Sequence, residues 1–271
     1  MSFVHALMDQ PFLSNALLAG LLAGIGCGLV GPFVIVKRIG YLAGGVAHSV
    51  LGGMGIAYFF GGDPLLGATV GAVVSALVIG WVSIRWRAEE DTLIGALWAG
   101  GMATGILFIS LAPGYKVDLL SYLFGNILLV GPRDLWLMAG LDVGLAIVVG
   151  VFYRQFLAVC FDEEFARIRG VAVTRFYLLL LVMVALTVVL LLQVVGLIMV
   201  IAMLTLPAAI AAQWLSSVAR MIAGATVIAV LVTWGGLALS YAPDLPAGSV
   251  IVLLAVALYL VSSLVSARRR T

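Results

Sequence analysis

Charge is what this sequence has least of. Of 271 residues, 14 are Lys or Arg and 12 are Asp or Glu; charged residues make up 10% of the chain against 64% hydrophobic, with a mean hydropathy of +1.26. A water-soluble domain of this length needs far more charge on its surface, so a soluble globular fold is excluded. No polar stretch exceeds 22 residues, which leaves no room for a separate extramembrane domain. Lysine occurs only at Lys37 and Lys116, and no G-x-x-x-x-G-K-[ST] is present, so the chain has no phosphate loop for ATP. The two cysteines, Cys27 and Cys160, sit in or beside apolar runs and define neither a disulfide framework nor a metal cluster. There is no H-E-x-x-H, no Ser–His–Asp arrangement and no pair of intramembrane aspartates, which argues against an intramembrane protease. A chain of intramembrane carboxylates, which proton- or sodium-coupled carriers use near the midplane, is also missing. The N-terminus lacks a basic n-region and a small-residue cleavage site, so the run from Phe12 is expected to be a retained first span.

What is present is apolar run after apolar run. A membrane-spanning helix needs about 20 such residues. Nine segments qualify: 12–36, 45–60, 64–84, 92–111, 132–153, 174–193, 194–214, 219–240 and 247–266. The expected fold is an all-α polytopic bundle of eight or nine transmembrane helices, a single permease-like domain over 1–271. Two segments are open as full crossings. The second is short and rich in glycine (Gly44, Gly45, Gly52, Gly53, Gly55). The sixth and seventh form one continuous run broken only by Gln193, Gly196 and Pro207. The basic residues Lys37, Arg38, Arg85, Arg87, Arg154 to Arg175, Arg220 and Arg268 to Arg270 gather at one set of ends. The opposite ends hold Lys116 against Asp63, Asp118 and Asp244. Basic ends face the cytoplasm. Nine crossings then put the N-terminus outside and the C-terminus inside; eight bring the N-terminus in.

Most prolines sit at span ends, but Pro32 and Pro207 lie inside spans, where proline marks kinks. Glycines recur every fourth residue at Gly20/Gly24/Gly28, Gly67/Gly71, Gly101/Gly105 and Gly140/Gly144, a spacing that lets helix backbones approach closely. Tight packing explains each ridge alone. Together they describe a bundle that can slide.

Ionisable groups at membrane depth are expensive and few here. His48, in YLAGGVAHSVLGGMG, can ligate zinc or manganese, or can make an interhelical hydrogen bond. Asp142 faces a bundle interior or pairs with a polar neighbour. Asn126, Gln193 and Thr205 either line a pathway or join helices. His5 and Asp9 precede the first span; Asp63, Lys116, Asp118, Arg133, Asp134 and Asp244 read as outer surface.

The charges concentrate in Arg154 to Arg175, RQFLAVCFDEEFARIRGVAVTR. Its centre, Asp162 to Gly170, predicts a short helix. Asp162 is an N-cap, and Glu163 and Glu164 sit where the helix dipole favours negative charge. Arg167 and Arg169 occupy the last turn, and Gly170 can take the left-handed stop. Glu163 and Arg167 are spaced for a helical ion pair. Phe161, Phe165 and Ile168 form an apolar stripe. The helix is either a solvated element on the membrane surface or a docking element for a partner.

Four stretches resemble one family: KRIGYLAGGVAHSVLGG (37–53), DLLSYLFGNILLVGPRDLW (118–136), FDEEFARIRGV (161–171) and VGLIMVIAMLTLPAAIA (195–211). They are similar to the membrane permeases of bacterial zinc and manganese ABC importers, the metal-type ABC-3 family. The resemblance implies a translocation subunit that is not itself an enzyme, with no tightly bound cofactor and a divalent metal ion, zinc or manganese, as cargo. It implies a dimer of cytoplasmic ATP-binding subunits, an extracytoplasmic metal-binding protein, a second permease copy and surrounding membrane lipid as partners. Nucleic acid has no place among them. It identifies Asp162, Glu163, Glu164, Phe165, Arg167, Arg169 and Gly170 as a coupling helix for the ATP-binding subunits. His48 matches the family histidine and is expected to touch the ion in transit. Two positions depart from the family pattern: Gly44 stands where many members carry Asp four residues before the histidine, and Asn126 replaces the Asp of F-G-D. Fewer oxygen donors tilt the cargo towards zinc. An importer of a metal chelate, an ion-coupled carrier without an ATPase and a non-transporting scaffold or receptor are the alternatives.

Overall fold

The structure is a computed structural model, and it describes residues 11–85, 90–112, 125–197, 200–243 and 245–270. His5, Asp9, Lys116, Asp118 and Asp244 lie outside the described residues, as does the side chain of Gln193. Ten α-helices are described: α1 Pro11–Lys37, α2 Gly40–Phe59, α3 Pro64–Arg85, α4 Glu90–Leu111, α5 Pro132–Phe161, α6 Glu163–Ile168, α7 Val173–Val195, α8 Val200–Trp214, α9 Val218–Tyr241 and α10 Ala247–Arg270. A 3-10 turn at Ile127–Leu129 precedes α5.

Eight of these helices are long and apolar enough to cross a membrane. The second segment is one of them, because α2 begins earlier than its hydropathy suggests and runs for 20 residues, about 30 Å at 1.5 Å per residue. The seventh is not. Gly196 takes a left-handed φ of 77° and divides the long apolar run. Beyond that division α8 has only 15 residues, about 22 Å against a hydrocarbon core of about 30 Å. Helix α5 extends past the expected 153 to Phe161, because nothing in RQFLAVCF breaks a helix before Asp162; a departure from helical dihedrals falls at Phe152 (φ −108°, ψ 18°).

The chain packs as two compact units, each discontinuous in sequence. The first comprises Met1–Ile35, Leu120–Gly150 and Leu190–Thr271. In it the ridge Gly20/Gly24/Gly28 of α1 lies against α9. A Cβ at Gly24 would stand 2.5 Å from the Val230 side chain, and one at Gly28 would stand 2.6 Å from the backbone nitrogen of Thr226. Only glycine permits that approach. Farther along α1, a Cβ at Gly31 would meet the Leu204 carbonyl at 2.5 Å and Ala208 at 3.1 Å. The helices that carry Pro32 and Pro207 therefore touch beside those prolines, both of which lie inside continuous helices.

The second unit comprises Val36–Leu119 and Val151–Val189. Helix α2 is its centre, flanked by α3 and α4. A Cβ at Gly53 would stand 2.2 Å from the Gly67 carbonyl, and one at Gly55 would stand 2.5 Å from the Gly105 carbonyl. Glycine on two faces explains the weak hydropathy of α2: its neighbours are backbones, and 72% of its spanning window is buried. The fourth glycine ridge differs. Cβ atoms at Gly140 and Gly144 would meet nothing within 4 Å among the described residues.

Candidate functional site

Helix α6 is built by local chemistry. Asp162 accepts a hydrogen bond from the Phe165 N–H at 2.9 Å and caps the N-terminus. Gly170, with φ 77°, lets the Val171 N–H return to the Ala166 carbonyl at 3.0 Å and closes the C-terminus. Ala166 is fully buried and presses the helix onto the unit. Its other apolar side chains do the opposite: Phe165 is 50% exposed, Ile168 84%, and Phe161 just before it 69%. Arg169 lies over the Phe165 ring, 5.2 Å from its centroid. Two large hydrophobics of this six-residue charged helix, with Phe161 just before it, therefore form an exposed apolar patch. Glu163 joins this helix to the membrane bundle: Lys37 donates to its carboxylate and, at 3.0 Å, to the Val159 carbonyl.

His48 is the ninth residue of α2 and is buried. Its Nδ1 lies 2.8 Å from the Gly44 carbonyl. A carbonyl can only accept, so Nδ1 carries the hydrogen and the neutral ring keeps its lone pair on Nε2. Metal-ligating histidines are oriented by such a bond to their second nitrogen. The ring stacks on Trp98 of α4, with centroids 3.7 Å apart and planes 18° apart. Ser49 beside it donates to the Gly45 carbonyl at 2.8 Å and the Leu97 carbonyl at 3.2 Å. Among the described residues no three of His, Cys, Asp and Glu gather into a cluster that could hold a metal by side chains alone. Gly44 contributes its carbonyl to the histidine.

The remaining polar positions resolve locally. The Asn126 side chain accepts from the Leu128 N–H at 3.1 Å and caps the 3-10 turn. Thr205 donates back to the Ile201 carbonyl at 2.7 Å. Asp63 and Asp134 accept from Leu65 and Gly131 N–H groups at 2.8 and 3.0 Å, at the starts of α3 and α5. Asp142 differs: it is buried, and among the described residues neither carboxylate oxygen has a hydrogen-bond partner.

Residues 9–266 match the ABC 3 transport family. The chain belongs to the ABC-3 family. It is 47% identical to an uncharacterised membrane protein of Synechocystis over 94% of this chain and 91% of that protein. It is 35% identical to the manganese transport system membrane protein MntC of Halalkalibacterium halodurans, over 95% of this chain and 88% of the relative. Among solved structures it resembles PsaBC from Streptococcus pneumoniae in complex with Fab, with a TM-score of 0.88, 33% identity, and coverage of 96% of this chain and 94% of that one.

In this ABC-3 permease, three features escaped the sequence. Lys37 and Glu163 lie 126 positions apart. Trp98 stacks on a histidine of another helix. Arg38 ends α1 with a left-handed φ of 62°, which costs a residue with a Cβ about 1–2 kcal/mol. No local pattern announces any of them.

Asp142 supports a direct stability test. An unsatisfied buried polar group costs roughly 1–3 kcal/mol. Asp142→Leu in the purified permease is therefore expected to raise the melting temperature. A fall would contradict an unpartnered carboxylate.

Proposed function

We propose that this permease is the membrane subunit of an ATP-driven importer of a divalent metal ion, with manganese as first cargo and zinc second. The observation that carries the reading is α6, a capped, charged helix whose large apolar side chains face outward and whose Glu163 is tied to the end of α1. A chain without a phosphate loop and with few intramembrane carboxylates takes its energy from outside, and α6 is where separate ATP-binding subunits dock. With the basic ends in the cytoplasm, α6, the Lys37 end of α1 and the Arg85 end of α3 share the cytoplasmic side. Closure of the ATP-binding dimer moves α6, with Asp162 and Gly170 keeping it a unit and Glu164, Arg167 and Arg169 meeting the partner. Glu163 passes that displacement through Lys37 to α1. Gly31–Pro32 and Leu206–Pro207, which lie side by side, bend together and switch access. A second copy of the permease and an extracytoplasmic metal-binding protein complete the importer.

His48 contacts the ion through Nε2. One imidazole and backbone carbonyls make a weak site, as transit requires. The name of the H. halodurans relative favours manganese. The shortage of carboxylates around His48 favours zinc, so both ions belong in the test. The experiment is uptake of each ion, in competition, by the permease reconstituted with its ATP-binding and metal-binding partners. His48→Ala is expected to lower uptake at least about tenfold, the loss of roughly 1.4 kcal/mol from the transit state, with partner association unchanged. Undiminished uptake by His48→Ala removes the histidine from the path, and zinc outcompeting manganese reverses the order of cargo.

A further inference from the structure

Beneath α6 lies a cavity of about 420 Å³, open on one side and lined by Lys37, Arg38, Ser83, Glu163, Arg167 and Tyr177 among others. We propose that it binds a phosphate-bearing anion, drawn from a phospholipid headgroup or from solution.

Three observations carry this. The first is charge: three cationic side chains face one carboxylate, and that carboxylate is already engaged by Lys37. Among the described residues no hydrogen bond or ion pair engages the guanidinium of Arg38 or Arg167. Fork-shaped guanidinium donors match phosphate oxygens. The same positive field repels the metal cargo, so this is not a stop on the ion path. The second is Ser83. The residue lines the cavity and is buried, and its hydroxyl has no hydrogen-bond partner among the described residues. Buried hydroxyls are normally satisfied, and one without a partner in the wall of a basic cavity points to a ligand oxygen. The third is the backbone of Arg38, held left-handed at φ 62°. Glycine adopts that conformation without strain. An arginine there places a guanidinium on the cavity at the expense of the backbone.

Location narrows the source. The cavity sits where α1 ends at Lys37 and α3 ends at Arg85, beside the charged α6. Basic pockets between helix ends at the membrane surface take anionic headgroups. A phosphate held between Arg38 and Arg167 links α6 to the membrane-embedded helices through a second connection, beside Lys37–Glu163. Anionic lipid thereby stiffens the element that receives the partner's motion. This reading of the cavity does not depend on which metal is carried.

The test uses the full chain. Permease purified from vesicles of phosphatidylglycerol and phosphatidylcholine is examined by native mass spectrometry for retained lipid and by melting temperature, with inorganic phosphate added in a separate arm. Wild type is expected to retain phosphatidylglycerol at least tenfold over phosphatidylcholine. Arg38→Gln and Ser83→Ala lose that preference, and Arg38→Lys, which keeps the charge without the fork, keeps only part of it. Arg38→Gly melts higher than wild type without anion, through relief of the backbone, yet gains nothing when anion is added. That pair of results separates a ligand site from general destabilisation. Stabilisation by inorganic phosphate with the same sensitivity to Arg38 and Ser83 supports the site and assigns it a soluble ligand. Equal retention of both lipids together with no stabilisation by inorganic phosphate, or identical anion responses in wild type and Arg38→Gln, overturns the proposal.

Discussion

Replacing Phe165 and Ile168 together by aspartate is expected to abolish co-purification of the ATP-binding subunits and to stop ATP-driven metal uptake, while the permease itself melts as wild type does. The two halves of that expectation come from one observation. Both side chains are largely exposed, 50% and 84%, so aspartate at either position removes nothing from the core. In the proposed docking of the ATP-binding subunits on α6 the same side chains become buried anchors. A buried anchor lost from an interface costs about 2 kcal/mol or more, roughly 30-fold in affinity, and a carboxylate left in an apolar seat costs further. Ala166 is the internal control. It is fully buried beneath the same helix, so Ala166→Asp should unfold α6 from the bundle and lower the melting temperature. If Phe165→Asp/Ile168→Asp still binds the ATP-binding subunits and transports, α6 is a surface helix and nothing more.

Gly53→Val is expected to prevent folding of the second unit. The new Cβ would stand 2.2 Å from the Gly67 carbonyl and 2.9 Å from the Gly71 Cα, both backbone atoms. No rotamer change relieves a backbone clash; α2 and α3 must move apart, which uncovers the helix on which the unit is centred. Overpacking of flexible cores costs about 1–3 kcal/mol, and a rigid backbone seam exceeds about 3, a large share of the roughly 5–15 kcal/mol that holds a fold. Gly95 of α4 is the contrast, since a Cβ there meets nothing within 4 Å among the described residues. Gly95→Ala should be harmless. Size-exclusion profile and melting temperature of the two variants decide it: a monodisperse Gly53→Val with wild-type melting would refute the glycine seam.

The sequence made α6 legible almost to the residue, because its boundaries rest on chemistry within the segment. Asp162 caps from three positions away, and Gly170 stops the helix by its own backbone freedom. Helix α2 was legible only in part. Its glycines depress hydropathy to 1.3, the lowest of the eight spans, and that reads as a weak crossing. The same glycines make it the most buried of the eight spans, a property that depends on α3 and α4 and leaves no periodicity of its own. The division of the long apolar run at Gly196 was foreshadowed by a glycine, but its outcome, a short α8, was set by where the backbone turns left-handed. At the candidate site, the bond from His48 to Gly44 is local, four residues apart, whereas Trp98 arrives from α4. Contacts of that kind, like Lys37 with Glu163, exist only once the bundle has formed.

The central claim is that energy enters through partners at α6 and drives a divalent ion across the bundle. Its most direct measurement is manganese and zinc uptake into proteoliposomes holding the permease, with and without its ATP-binding subunits and with and without ATP. The account predicts uptake only when ATP-binding subunits and ATP are both present, and loss of it in Phe165→Asp/Ile168→Asp. Uptake of equal rate by the permease alone, driven by an imposed ion gradient, would contradict it.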